Sequence, residues 1–322
     1  MQSMTYRRGG GSSRAVSAGA VDLIDPAGLM VKRIESLRTH AWEVELAAHG
    51  IDSASHNASS VQLEATCADL NVLDVANELF DADVKAVASS RSKDDAGLLT
   101  VDGWSQTALI TGIEPSYDPP GPAKYALTVA LLDGLWHKRD DVQHFWSGAL
   151  QPGLDLDYPH DYPHDYLPTT RNASVVNDAV SPMPFELVVY GPVSQPAIII
   201  GGNRYALDVD IPSGSYVTVN SVEGQRSIVM TAENGDTTNV FDKGERGSGL
   251  NGGTYIFQPL PSGEHQVQWN GFGFDLTVIQ ERSTPSWWIC LSPIPSTSMS
   301  VPPSTTLWIA RGARRKTISN LS

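Results

Sequence analysis

The sequence predicts a mainly β chain, with an N-terminal β-rich domain that carries one α-helix and a C-terminal β-sandwich. Three observations carry that prediction. Between Phe185 and Trp288, short apolar runs are cut at regular intervals by turn signals. Helical spacing of apolar residues is convincing in one stretch, after Asn71. Finally, 28 Gly and 21 Pro in 322 residues, with 41% apolar residues, suit a turn-rich β protein better than a helical one. The length fits about two domains, each large enough to bury its own core.

Met1 to Ala20 is Gly, Ser and Arg rich and too polar to fold alone, so residues 1–20 read as a flexible arm. Residues 21–150 read as the first domain. Val21–Ile24 and Leu29–Val31 are strands around a Pro26-Ala-Gly28 turn. His40–Leu46 alternates, with Trp42, Val44 and Leu46 on one face, the pattern of a half-buried strand; Val61–Cys67 alternates likewise. From Asn71 the period becomes helical, through Val72, Val75, Ala76, Leu79, Phe80, Val84 and Val87, with Asn71 as the expected cap and Asp74 expected in the first turn. Gly97–Val101 is a strand that Asp102-Gly103 turns into Trp104, and Tyr125–Leu132 returns as a long strand.

In residues 185–289 the runs Phe185–Tyr190, Ala197–Ile200, Ser215–Val219, Ser227–Met230, Thr254–Phe257, His265–Trp269 and Phe274–Ile279 have strand length and are rich in β-branched and aromatic residues. Gly191-Pro192, Gly201-Gly202-Asn203, Pro212-Ser-Gly214, Asn234-Gly235, Pro261-Ser-Gly263 and Asn270-Gly271 separate them. Neighbouring runs are therefore expected to pair antiparallel, as in a β-sandwich.

The order of several pieces is similar to that of bacteriophage distal tail proteins, hub proteins at the tail tip of long-tailed phages. These are Tyr190-Gly191-Pro192, the run from Pro196 to Tyr205, the stretch from Leu260 to Trp269 and the terminal Pro285-Ser-Trp-Trp288. Upstream, Gly97–Trp104, Tyr125–Leu132 and Trp136–Arg139 continue the likeness. It spans roughly residues 21 to 288, and the order of the pieces carries it. The resemblance implies a tail-tube-like ring domain, a galectin-like β-sandwich and a homohexameric ring. It also implies, as partners, the tail tube protein, a tail-associated hub or lysin protein, the tape measure protein and peripheral receptor-binding proteins. DNA would only pass through the lumen.

The net charge is unevenly placed, and solubility is the plain reading of it. Arg7, Arg8 and Arg14 lie in the first 20 residues, and Arg311, Arg314, Arg315 and Lys316 in the last 40, with no acid in either stretch. Removing those seven positive charges from a net −14 leaves about −21 for the body, which argues against wrapping nucleic acid. In a ring, an acidic lumen would repel passing DNA. No apolar run approaches the roughly 20 residues of a membrane span, and the N-terminus lacks the apolar core of a secretory signal. The expectation is a virion tail-tip protein assembled in a host cytoplasm.

Residues 151–184 read as a Pro-rich linker or strap that contains a Tyr-Pro-His-Asp repeat. Its His160, Asp161, His164 and Asp165 are types that bind zinc or manganese. However, the prolines hold the strip extended and no second His or Cys pair stands nearby, so it reads as a spacer. Gly247–Gly252 matches a dinucleotide fingerprint, but no strand precedes it and no helix follows, so it reads as a loop. There is no nucleophile elbow and no His-Glu-x-x-His helix, and an enzyme is not expected. No cofactor or metal is expected either. Cys67 and Cys290 fall in different domains and read as idle thiols.

The sandwich keeps a carbohydrate-binding reading open, as a module of a cell-surface adhesin. Trp269, Trp287 and Trp288 are its candidate platform, and the same residues are candidates for partner contact. Trp269 alternates with Val267 on an expected core face, which favours packing. Residues 290–322 form a Ser/Pro-rich basic extension in which Leu307, Trp308 and Ile309 are a candidate docking arm.

Overall fold

Alternating apolar residues and tight turns build most of the described residues. The computed structural model describes residues 3–9, 19–39, 42–116, 123–146 and 173–285, all within one unit, Met1–Trp287. The fold is mainly β with one α-helix. The strands are β1 Met4–Arg7, β2 Ala20–Asp22, β3 Leu29–Arg33, β4 Glu43–Ala47, β5 Gly50–Ser55, β6 Ser59–Cys67, β7 Gly97–Val101, β8 Trp104–Ser116, β9 Ala123–Leu131 and β10 Trp136–Arg139, with helix α1 Leu70–Ser90 between β6 and β7. After them come β11 Gln143–Phe145, β12 Ala173–Asn177, β13 Phe185–Tyr190, β14 Val193–Ser194, β15 Ala197–Ile200, β16 Asn203–Ala206, β17 Asp210–Ile211, β18 Tyr216–Asn220, β19 Ser227–Thr231, β20 Thr237–Asn239, β21 Gly263–Trp269 and β22 Phe274–Arg282.

The first core is enclosed by the strand path β3-β6-β9-β8-β7-β1-β2, antiparallel throughout. Its two ends meet: Ile24 bridges Met30, and the Val31 N–H donates to the Leu23 carbonyl at 2.7 Å, so the sheet has no free edge there. The β7–β8 hairpin is the expected one, with Asp102 and Gly103 both at positive φ (48° and 84°) and Val101 paired to Trp104.

The expected arm of residues 1–20 is corrected by β1. Met4 and Tyr6 alternate into the core and are fully buried, and β1 pairs on both sides, with β2 and β7.

Helix α1 starts earlier than expected. Asp69 is its cap, its side chain accepting from the Asn71 N–H at 2.9 Å, which leaves Asp74 beyond the first turn. The buried face is Leu73, Ala76, Leu79, Phe80 and Asp83; Val75 faces solvent. The helix ends where Arg91 turns left-handed (φ 56°) and its N–H closes on the Val87 carbonyl at 2.8 Å. No helix among the described residues is long and apolar enough to cross a membrane. Cys67 is buried, its thiol donating to the Asp69 carbonyl at 3.0 Å, and Cys290 lies outside the described residues.

The second core lies between two antiparallel sheets. One runs β22-β13-β18-β19-β20, with β11 also on β22; the other runs β12-β21-β15-β16. Leu187, Val189, Val217, Val219 and Leu276 of the first face Val175, Ile198, Ile200, Tyr205 and Val267 of the second. Two expectations are corrected here. Thr254–Phe257 is not a strand. Ile256 and Phe257 are buried, but the Asn203 side chain substitutes for a strand neighbour, accepting from the Tyr255 N–H at 3.1 Å and donating to its carbonyl at 3.0 Å. Asn270-Gly271 does not close a hairpin either, since it carries the chain from β21 in one sheet to β22 in the other. Gly247–Gly252 is a run of turns and bends with no strand or helix.

The cores change over between Trp136, buried in the first, and Phe145, buried in the second. A first domain drawn through residue 150 therefore takes in a side chain that packs with the sandwich.

Candidate assembly interface

Strands β4 and β5 pair only with each other, and all eleven of their residues are exposed. Their alternation sorts the side chains. Val44 lies opposite Ala54 and Leu46 opposite Ile51, while Glu43 and Glu45 lie opposite Ser55 and Ser53 on the other face. The Ser53 hydroxyl donates to Glu45 Oε2 at 3.1 Å, and Asn57 donates to Glu43. The polar face is hydrogen-bonded, and among the described residues the apolar face is open, with Leu46 79% and Ile51 67% exposed. This corrects the half-buried strand expected for Trp42, Val44 and Leu46: the alternation is real, but among the described residues these side chains are 50%, 44% and 79% exposed, with the Trp42 ring 3.8 Å from that of His56. An isolated two-stranded hairpin is marginal in water, and an exposed apolar face of this kind marks an interaction surface.

At the foot of the hairpin is a cleft of about 490 Å³, lined by hydroxyl and amide side chains such as Ser36, Thr39, Ser55, Ser60 and Gln62, with Trp136 as one wall. Gln106 is buried beside it, and its carbonyl oxygen has no hydrogen-bond partner among the described residues.

A second feature joins the two cores. Strand β22 pairs with β13 through Phe274–Val278 and with β10 through Ile279–Arg282, so one strand serves both. Side chains reinforce the splice. Arg139 donates to both carboxylate oxygens of Glu186, at 2.6 and 2.8 Å, and this bond holds the guanidinium pKa above its usual value. His137 Nε2 lies 3.2 Å from Glu281 Oε1, Gln280 donates to Asp140 at 2.8 Å, and the Arg282 guanidinium sits 4.8 Å over the Trp104 ring.

Of the residues singled out in the sequence, Trp269 ends β21 as a packing residue. Its ring meets Phe274 and Phe145 edge to face, at 5.4 and 5.9 Å, and its indole N–H donates to the Phe272 carbonyl at 2.9 Å. Trp287, Trp288, Leu307, Trp308, Ile309 and the Tyr-Pro-His-Asp repeat lie outside the described residues. Sequence reasoning missed Trp146, Tyr190 and Tyr216, which form an aromatic row on the outer face of the sandwich. The available signals were the alternation His144-Phe145-Trp146 and a glycine, Gly273, between two phenylalanines.

No protein-family model matches the sequence, and no curated protein is similar to it. The fold is similar to solved structures. A chain of the phage P2 baseplate in its activated conformation with Ca superposes with a TM-score of 0.51 at 9% identity, covering 88% of this chain and 99% of that one. The phage p2 baseplate in its activated conformation with Sr gives 0.52 at 8% identity, with the same coverage. SPP1 Dit, described as a paradigm of the hub adsorption apparatus in phages that infect Gram-positive hosts, gives 0.50 at 11% identity, covering 87% of this chain and 99% of that one. The chain thus has the fold of phage tail-hub proteins, across both cores.

Proposed function

We propose that the protein is a structural, non-enzymatic component of a long-tailed phage tail tip, a homohexameric hub ring that joins the tail tube to the host-adsorption proteins. The likeness to the hub structures, nearly end to end, carries this reading. The exposed β4–β5 hairpin supports it, because a head-to-tail ring needs a self-associating surface whose complement lies elsewhere on the next copy. Ring contacts then combine burial of this apolar face with strand-edge pairing. The splice along β22 holds the sandwich in a fixed position relative to the ring-forming part, as a peripheral docking surface requires.

In the assembly the tail tube lies above, a tail-associated hub or lysin protein below and the tape measure within, with receptor-binding proteins at the periphery. The acidic body keeps passing DNA off the lumen wall. The protein resides in the virion after assembly in the host cytoplasm. The test is electron-microscope class averaging of the purified chain, alone and mixed with the tail tube protein of the same phage. Six-fold rings with peripheral lobes are expected; monomers in both samples would overturn the proposal.

A further inference from the structure

The outer face of the sandwich carries an aromatic shelf that neither core uses. Trp146, directly after β11, lies over Gly273, where any Cβ would stand 2.7 Å from the indole ring. With no side chain beneath it, the ring packs close against the backbone just before β22. The Tyr190 N–H donates to the Gly273 carbonyl at 3.0 Å, and the Tyr190 ring is stacked with that of Trp146, 5.7 Å apart and within 9° of parallel. The next strand adds Tyr216, the direct cross-strand partner of Tyr190, at 6.3 Å and tilted 54° to it, so the shelf bends at this ring. The row continues to Thr231. Trp146 is 59% and Tyr216 36% exposed, so two of the three rings turn substantial area to water.

A fixed carboxylate stands beside the shelf. Asp275 Oδ2 accepts from the Tyr190 hydroxyl at 2.8 Å, and Oδ1 lies 2.7 Å from His144 Nδ1. Each carboxylate oxygen has two lone-pair directions, of which these bonds use one, and the Asp275 side chain is 15% exposed. The Tyr190 oxygen and the Thr218 and Thr231 hydroxyls, on the same outward positions of neighbouring strands, add further polar groups. Burial, the Asp275 carboxylate and Tyr216 together push the Tyr190 phenol up to about 12, which keeps its proton on the hydroxyl in place.

Flat rings flanked by preorganised acceptors match one ligand chemistry closely. A pyranose presents an apolar face of C–H groups for stacking and a rim of hydroxyls that donate to carboxylates. Nucleic acid and anionic glycans fit poorly, because the fixed charge beside the rings is negative and the body of the chain is acidic. We propose that Trp146, Tyr190 and Tyr216, with Asp275, form a binding site for a neutral saccharide. Such a surface gives the protein a direct contact with a glycan, independent of ring assembly.

The test uses the full chain on an array of neutral and anionic oligosaccharides, with the strongest ligand then titrated by calorimetry. Binding of neutral pyranose oligosaccharides is expected. Trp146→Ala and Tyr216→Ala are each expected to weaken it about tenfold, the scale of one lost ring-stacking contact. Gly273→Ala lifts the indole from the strand and should do the same, while Asp275→Asn should weaken binding without moving the rings. Trp269→Phe should leave affinity unchanged. Circular dichroism and the melting temperature of each variant separate lost binding from lost fold. A silent array, capture of anionic glycans alone, or affinity that survives both Trp146→Ala and Tyr216→Ala in folded protein overturns the proposal.

Discussion

The Tyr6 hydroxyl donates to Asp83 Oδ2 at 2.8 Å, tying the first strand of the chain to the middle of α1. The ring of Tyr6 also meets Phe80 edge to face at 5.2 Å, and Arg8 Nε lies 3.3 Å from Asp83 Oδ1. The position across from them must be glycine, since a Cβ at Gly97 would stand 2.2 Å from the Tyr6 hydroxyl. Tyr6→Phe keeps the ring but leaves a buried carboxylate short of a donor, which is expected to cost about 1–3 kcal/mol. Gly97→Ala should cost more, because the whole ring must move. Urea unfolding of the two variants measures both.

Asp83 also makes a pH signature. Burial pushes its carboxyl above the usual carboxylate range, although Tyr6, the Gly9 N–H and Arg8 pull it down. The native state therefore holds this proton to higher pH than the unfolded chain does. Its contribution to stability is full below the unfolded value, near about 3.9, and is lost as pH rises through the raised one. Asp83→Asn retains an acceptor for Tyr6 and removes the titration. Urea midpoints from mildly acidic to neutral pH should move in favour of the variant as pH rises; a constant difference would count against the shift.

Asp133 behaves in the opposite sense. Burial works to raise its carboxyl, but hydrogen bonds from Thr107 and Lys93 outweigh it and hold the carboxyl below its ordinary value. The Thr107 N–H donates at 2.8 Å and Lys93 Nζ at 2.9 Å. The stability this lends is present above the unfolded value and lost as pH falls through the lowered one. Lys93→Met strands a buried carboxylate, and with Lys93 one-third exposed the expected loss at neutral pH is about 1–2 kcal/mol. The deficit should shrink in acid, where the carboxyl is neutral.

The hairpin separates assembly from folding. Leu46→Glu and Ile51→Glu place charge on a face that is exposed among the described residues, so stability should change by less than about 0.5 kcal/mol. Mass photometry of the same samples should show rings lost and monomer retained. Rings of unchanged abundance would remove the hairpin from the interface.

Much of the fold was legible because period-2 alternation and turn chemistry are local. Phe185–Tyr190 and Ala197–Ile200 form strands over the expected residues, and Asp102-Gly103 supplies the positive φ pair its hairpin needs. The misreadings share a cause: the partner was distant in sequence. Thr254–Phe257 has strand composition, but its neighbour is an asparagine side chain about fifty residues earlier. Trp42, Val44 and Leu46 alternate like a core face, and nothing in the sequence says that no layer covers them. Asp83 breaks the apolar face of α1, and its partners Tyr6, Arg8 and Gly9, more than seventy residues away, explain it. The aromatic shelf was missed for the same reason, since its local signals, the alternation His144-Phe145-Trp146 and Gly273 between two phenylalanines, do not show that the pieces meet. Trp146, Tyr190, Tyr216 and Gly273 come from four separate segments, and the absence of a side chain at Gly273 gives the indole its seat.

The splice along β22 has a mechanical meaning. Force that drags the sandwich along the strand direction, away from the first core, acts on all four β10–β22 residue pairs together, in shear, with the Arg139–Glu186 clamp beside them. A loop between two bodies would absorb such a load by turning, because hinge residues take up backbone rotation. Here a torque on the outer lobe reaches the first core as a torque, so the molecule works as a lever instead of a tether.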